Sequence, residues 1–77
     1  MKKVIIYTTS TCSYCDKAKE YLKSKEVNFT EVDLTENPEE TQKLIKKTGY
    51  TAVPQLEIDG KIIVGFDQAK IHELIKE

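Results

Sequence analysis

Val4-Ile5-Ile6-Tyr7-Thr8-Thr9-Ser10-Thr11-Cys12-Ser13-Tyr14-Cys15 is the stretch around which the rest of the chain is organised. Its opening, taken from Lys3 to Thr8, is β-branched and aromatic without polar alternation, the pattern of a strand covered on both faces. Its end holds the chain's two cysteines, separated by two residues. From Ser13 to about Lys25 the pattern turns helical, with Ala18, Tyr21, Leu22 and Lys25 recurring at spacings of three and four. The first amides of a helix lack intrahelical partners and carry the positive end of its dipole. A thiol held there is stabilised as the thiolate, which is the nucleophile in disulfide exchange. The spacing puts Cys12 just outside the helix and exposed, and Cys15 one turn in and facing inward. Attack by Cys12 on a disulfide would give a mixed disulfide that Cys15 can resolve.

At 77 residues the chain is read as one domain, residues 1–77, near the lower size limit for folding without a staple. Twelve basic and 13 acidic residues leave a net charge of -1, which gives no electrostatic reason to expect nucleic acid or an anionic membrane as a partner. Met1-Lys2-Lys3 has the charge of a signal sequence, but the apolar run after it is too short to make one. Apolar runs such as Val4-Ile5-Ile6-Tyr7 fall far below the roughly 20 residues that span a bilayer. The expected compartment is the cytoplasm, where a reactive cysteine pair is a better expectation than a structural disulfide. The lack of an evident apolar patch, together with the size, points to a monomer.

Asn28 to Asp33, with Phe29, Val32 and Leu34 loosely alternating, predicts a second strand joined to the first by a right-handed parallel crossover. Asn37-Pro38-Glu39-Glu40 predicts a helix start, with Asn37 as cap, Pro38 in the first helical position and acids in the first turn. Thr41, Leu44, Ile45 and Thr48 form its expected buried face, and Gly49 ends it. Gln55–Ile58 and Lys61–Val64 are two short strands about an Asp59-Gly60 turn. Asp67 is placed to cap a last helix whose Ile71, Leu74 and Ile75 face inward. The order βαβ-α-ββ-α is that of a minimal thioredoxin fold: an α/β architecture with a four-stranded mixed sheet flanked by three helices.

Two features besides the cysteines bear on chemistry. A Cys-x-x-Cys pair also serves as half of a zinc site, but tetrahedral zinc needs four ligands and the chain adds only His72, far along on the last helix, so no metal is expected. Val53-Pro54 precedes a strand pattern. There the proline is either a strand-edge device or a cis peptide that brings the Val53 backbone beside the cysteines, where it can pair with an extended substrate.

Thr11-Cys12-Ser13-Tyr14-Cys15, Thr51-Ala52-Val53-Pro54 and Gly65-Phe66-Asp67, in that order and over essentially the whole chain, resemble the landmarks of a glutaredoxin. The resemblance implies a cis bond before Pro54, Cys12 as nucleophile and Cys15 as resolving thiol. It implies glutathione as co-substrate, no tightly bound cofactor, and disulfide-containing or glutathionylated proteins as partners. Carried over residue by residue, it places glutathione in a groove bounded by Tyr14, Thr51, Ala52, Val53, Pro54, Gly65, Phe66 and Asp67. The ligand's cysteine backbone would pair with Val53. Its γ-glutamyl carboxylate would meet the helix start at Phe66-Asp67, and its amino group would meet Asp67. Lys46 or Lys47, with Lys47 preferred, is the candidate cation for the glycine carboxylate.

The chain also departs from the family pattern. Ser13 stands where many dithiol glutaredoxins have proline, freeing an N–H and adding a hydroxyl that can donate to the thiolate. Some relatives with serine here bridge a [2Fe-2S] cluster across a dimer with glutathione, which gives an alternative of another class. Thr8-Thr9-Ser10 lacks the lysine that many members place before the first cysteine, and Gly65-Phe66 replaces the usual double glycine. That pair looks more like the glutaredoxin-like donors to ribonucleotide reductase, which are recycled by thioredoxin reductase. Asp16 would oppose a nearby thiolate, with Lys17 and Lys19 offsetting it.

Overall fold

The computed structural model describes residues 3–75, so Met1-Lys2, part of the charged N-terminal stretch weighed above, lies outside the described residues. Its elements are β1 (Val4–Thr8), α1 (Ser13–Ser24), β2 (Thr30–Asp33), α2 (Glu39–Thr48), β3 (Gln55–Ile58), β4 (Lys61–Val64) and α3 (Gln68–Ile75). The four strands form one mixed sheet in the order β2-β1-β3-β4. β1 runs parallel to β2 and antiparallel to β3, and β3 and β4 form an antiparallel hairpin. This is the minimal thioredoxin fold expected from the element order.

The continuous apolar run of β1 is explained by its central place. Val4 and Ile6 point into a core with Leu56 and Ile58 of β3, Ile63 of β4, Ala18 and Leu22 of α1 and Ile71 of α3. Ile5 and Tyr7 point the other way, toward Leu34, Leu44 of α2, Val32 and Val53. The registers Ile6↔Leu56 and Val4↔Ile58 keep like-facing residues together across the sheet. Helices α1 and α3 therefore cover one face and α2 covers the other. Leu44 is the buried residue of α2, and a leucine so buried contributes about 1.5 to 3 kcal/mol.

Where local structure departs from expectation, a specific competitor is visible. Asn37 does not cap α2 with its side chain: Nδ2 donates instead to the Asp33 carbonyl at 3.1 Å, and the Asp33 side chain accepts from the Thr35 amide at 2.8 Å. Pro38 has helical φ and ψ of -62° and -23°, as the first turn requires. Ile45, expected on the buried face, is exposed, because α2 sits over only part of the sheet and Leu44 takes the contact. Lys25 is also exposed; its Nζ lies 5.7 Å from the Tyr21 ring. β2 begins at Thr30 rather than Asn28, with Phe29 packing just before it against the α1/α3 core. The Asp59-Gly60 hairpin forms with both residues at positive φ. Asp67 caps α3, its Oδ1 accepting from the Lys70 amide at 3.2 Å.

Helix α1 ends in a Schellman motif, with the Glu26 amide donating to the Lys23 carbonyl and the Val27 amide to the Leu22 carbonyl, both at 3.0 Å. Val27 then packs against the α1/α3 core. The residue that takes the left-handed turn is Glu26, at φ 57°. A side chain there costs about 1 to 2 kcal/mol, and glycine would give back part of that gain as unfolded-chain entropy. Glu26→Gly is therefore expected to stabilise the fold by about 0.5 to 1 kcal/mol, read as a higher urea midpoint at unchanged slope.

The α1 helix is also tied to the outer strand β2. Lys19 Nζ lies 3.0 Å from Glu31 Oε2 and 3.6 Å from Asp16 Oδ1, and the buried Thr8 hydroxyl donates to the same Glu31 oxygen at 2.8 Å. The bond from Lys19 holds the Glu31 carboxyl below its ordinary value, against the opposing effect of burial. Its stabilisation is complete above the ordinary glutamate range and disappears as pH falls through the lowered folded value. Glu31→Gln should accordingly flatten the acid limb of the stability curve, measured by urea unfolding from about pH 3 to about pH 7. An unchanged acid limb would show that this carboxylate contributes nothing to acid sensitivity.

Candidate active site

The loop from Thr9 to Cys12 leaves the C-terminal end of β1 and enters α1 at Ser13. Cys12 is the N-cap, with extended φ and ψ of -99° and 107°, and its Sγ accepts from the Cys15 amide at 3.1 Å. Sulfur here takes the place usually held by a serine or aspartate oxygen, meeting one of the orphan amides of the first turn. Cys12 and Cys15 are joined as a disulfide with Cα atoms 5.2 Å apart. Cys15 is 1% exposed beneath the helix, while Cys12 retains partial exposure. The same amide and dipole that meet the sulfur in the oxidised pair favour a Cys12 thiolate once the pair is reduced.

Tyr14 stands on the outer side of α1, 58% exposed, with Lys17 Nζ 5.1 Å from its ring centre. Asp16, the acid following Cys15, shares the Lys19 ammonium with Glu31, at 3.6 Å. The Val53-Pro54 bond is cis; Pro54 is buried, Val53 is half-buried and packs with Tyr7 and Leu44, and Thr51 and Ala52 are exposed. Gly65, at φ 90°, donates its amide to the Pro54 carbonyl at 2.7 Å, which joins the end of the hairpin to the proline loop. The half-buried Phe66 ring packs against the α1/α3 core and meets Tyr21 edge-on at 6.3 Å.

Lys47 is engaged elsewhere. Its Nζ lies 2.7 Å from Glu57 Oε1, and this bond raises the ammonium above its ordinary value. Beside that pair, burial pushes the Tyr7 phenol up. Two residues, one in the proline loop and one opening β3 just after it, were not singled out for function from the sequence. Tyr50 is an exposed aromatic directly before Thr51. Gln55 is fully buried and bonds back to the loop; in the alternating Gln55-Leu56-Glu57-Ile58 it sits on the expected polar face, so the sequence carried no signal for it. Among the described residues, no cluster of three or more histidine, cysteine or acidic side chains suits a metal ion, and His72 is exposed on α3. No helix among them is long and apolar enough to cross a membrane.

Comparison with known proteins agrees with this geometry. A family model described as glutaredoxin matches residues 4–63. An uncharacterised glutaredoxin-like 8.6 kDa protein in the rubredoxin operon of Clostridium pasteurianum is 43% identical over 94% of this chain and 96% of its own length. Glutaredoxin 3 of Escherichia coli K12 is 45% identical over 87% of this chain and 81% of its own. The crystal structure of glutaredoxin-1 from Archaeoglobus fulgidus superposes with a TM-score of 0.86 at 28% identity, covering all of this chain and 89% of that one.

The unequal exposure of the two sulfurs separates their expected effects on substitution. Cys12→Ser should abolish turnover of a peptide–glutathione mixed disulfide. Cys15→Ser should retain that turnover and lose most reduction of an intramolecular protein disulfide. Steady-state assays of the two variants check this, and an inactive Cys15→Ser beside an active Cys12→Ser would reverse the roles.

Proposed function

The chain belongs to the glutaredoxin family and is a thiol-disulfide oxidoreductase; on that premise we propose that it depends on glutathione and reduces both protein disulfides and glutathione mixed disulfides. The observation that carries the proposal is the partly exposed Cys12 at the N-cap of α1, its sulfur meeting the Cys15 amide, with Cys15 buried one turn behind it. Cys12 thiolate attacks one sulfur of the substrate disulfide, and the other sulfur leaves as a thiolate that takes a proton. Cys15 thiolate then attacks Cys12 Sγ, expelling the second substrate thiol and leaving the Cys12–Cys15 disulfide. One glutathione thiolate opens that disulfide to give glutathionylated Cys12. A second attacks the glutathione sulfur, so that two electrons pass and oxidised glutathione departs. A glutathionylated substrate enters at the glutathionylated Cys12 stage and needs Cys12 alone.

Glutathione binding is assigned to the groove of Tyr14, Thr51, Ala52, Val53, Pro54, Gly65, Phe66 and Asp67, with Val53 offering its peptide groups as an added strand would. The carboxylate role of Lys47 requires its release from Glu57. That pair favours a second reading, in which the groove receives proteins, electrons come from thioredoxin reductase, and ribonucleotide reductase is a recipient. We place the protein in the cytoplasm as a monomer with no tightly bound cofactor.

Reduction of a small glutathione mixed disulfide, run in parallel with glutathione plus glutathione reductase and with thioredoxin reductase alone, separates the two. Turnover with the first system is expected. Turnover confined to the second would keep the cysteine chemistry and remove glutathione as the electron donor.

A further inference from the structure

Gln55 opens β3 directly after Pro54 and has no exposed surface. Strand parity puts it with Glu57 on the α2 side of the sheet, away from Leu56 and Ile58 in the α1/α3 core, and its cross-strand partners are Tyr7 and Val64. A buried carboxamide needs acceptors for two N–H groups. Nε2 donates to the carbonyls of Tyr50 and Ala52, each at 2.9 Å. Those carbonyls flank Thr51, so one planar amide holds the segment before Val53 at two points. On the far side the Gly65 amide holds the Pro54 carbonyl.

Gln55 Oε1 is buried and has no partner among the described residues. Exchanging the amide's nitrogen and oxygen would set an acceptor against two carbonyls, so the two bonds dictate its orientation. An unpartnered buried acceptor is unfavourable, and an apolar side chain of similar shape would remove it. What that apolar side chain could not supply is the hold on residues 50 and 52. Both residues lie at the surface, where released carbonyls could turn to water.

We infer that Gln55 is a positioning residue for thiol-disulfide exchange: its carboxamide fixes the Tyr50–Ala52 backbone so that Val53 presents its peptide groups to an extended disulfide substrate. The inference rests on the proposed pairing of Val53 with substrate. Gln55 touches neither sulfur in this role, and its effect falls on docking.

The test compares wild type with Gln55→Met and Gln55→Glu, both close in shape, using the mixed disulfide of glutathione with a cysteine-containing peptide. Bis(2-hydroxyethyl) disulfide, which carries no peptide groups on either sulfur, serves as the substrate without flanking backbone, and dithiothreitol is the final reductant. KM for the peptide substrate should rise about three- to tenfold in both variants, the effect of one or two lost hydrogen bonds. The turnover number and the pH profile of Cys12 alkylation by iodoacetamide should stay as in the wild type. Retention of the wild-type preference for the peptide in both variants overturns the role of Gln55 alone. Equal KM for the two substrates in the wild type removes the Val53 pairing and overturns both. A shifted alkylation profile with reduced turnover would move the effect to the cysteines and overturn the docking role. If either variant fails to fold, exchange of the Gln55 carboxamide protons in the wild type decides. Exchange far slower than at the exposed Gln42 and Gln68 supports the clamp, and comparable exchange overturns it.

Discussion

The structure depends on covering both faces of β1. With one strand on each side, β1 cannot be solvated on either face, so the fold needs α1 and α3 against Val4 and Ile6 and α2 against Ile5 and Tyr7. The chain meets that requirement with two separate clusters. The loop to α1 leaves the C-terminal end of β1. The first turn of α1 therefore sits over the strand end, with the side chain of Cys15 packed inward and the sulfur of Cys12 left at the rim. Burial of the sheet and exposure of one sulfur follow from the same arrangement.

The proline loop is held to that rim by polar bonds. The Gly65 amide joins it to the end of β4, and the Gln55 carboxamide joins it to the segment leaving α2. Under the proposed role of Val53, a loop that keeps its own peptide groups available cannot be anchored by burying them, because a buried peptide group needs an internal partner. Anchoring through neighbouring residues leaves Val53 unencumbered. The Lys47–Glu57 pair lies on the same α2 face and draws the nearest lysine of α2 toward the sheet.

What the sequence revealed, and what it did not, follows from the range of the interactions involved. The strand of Val4 to Thr8, the Asp59-Gly60 hairpin, the Asp67 cap and the position of Cys12 are set by a few neighbouring residues and are legible in them. Asn37 looked like a cap because its type and neighbours fit one, but the turn after β2 gave its amide a nearer carbonyl at Asp33. Ile45 shares a helical stripe with Leu44, yet only tertiary contact decides how wide a stripe the sheet can cover. Lys47 reads as a free cation until β3 brings Glu57 beneath α2. Gln55 reads as an ordinary polar-face strand residue until the fold buries it and its carboxamide meets the Tyr50 and Ala52 carbonyls.

The sheet ends in two outer strands of four residues each, β2 and β4. β2 exposes Thr30 and Glu31, and β4 begins with an exposed Lys61. Short strands carrying charge are poor templates for edge-to-edge growth, so the backbone ladder is discouraged from recruiting further chains along its sides. The proline loop has no such guard. Under the proposed pairing at Val53, a molecule that receives an extended chain at one end of its sheet while resisting one along both flanks would act on partly unfolded, disulfide-bearing polypeptides without becoming a seed for their aggregation.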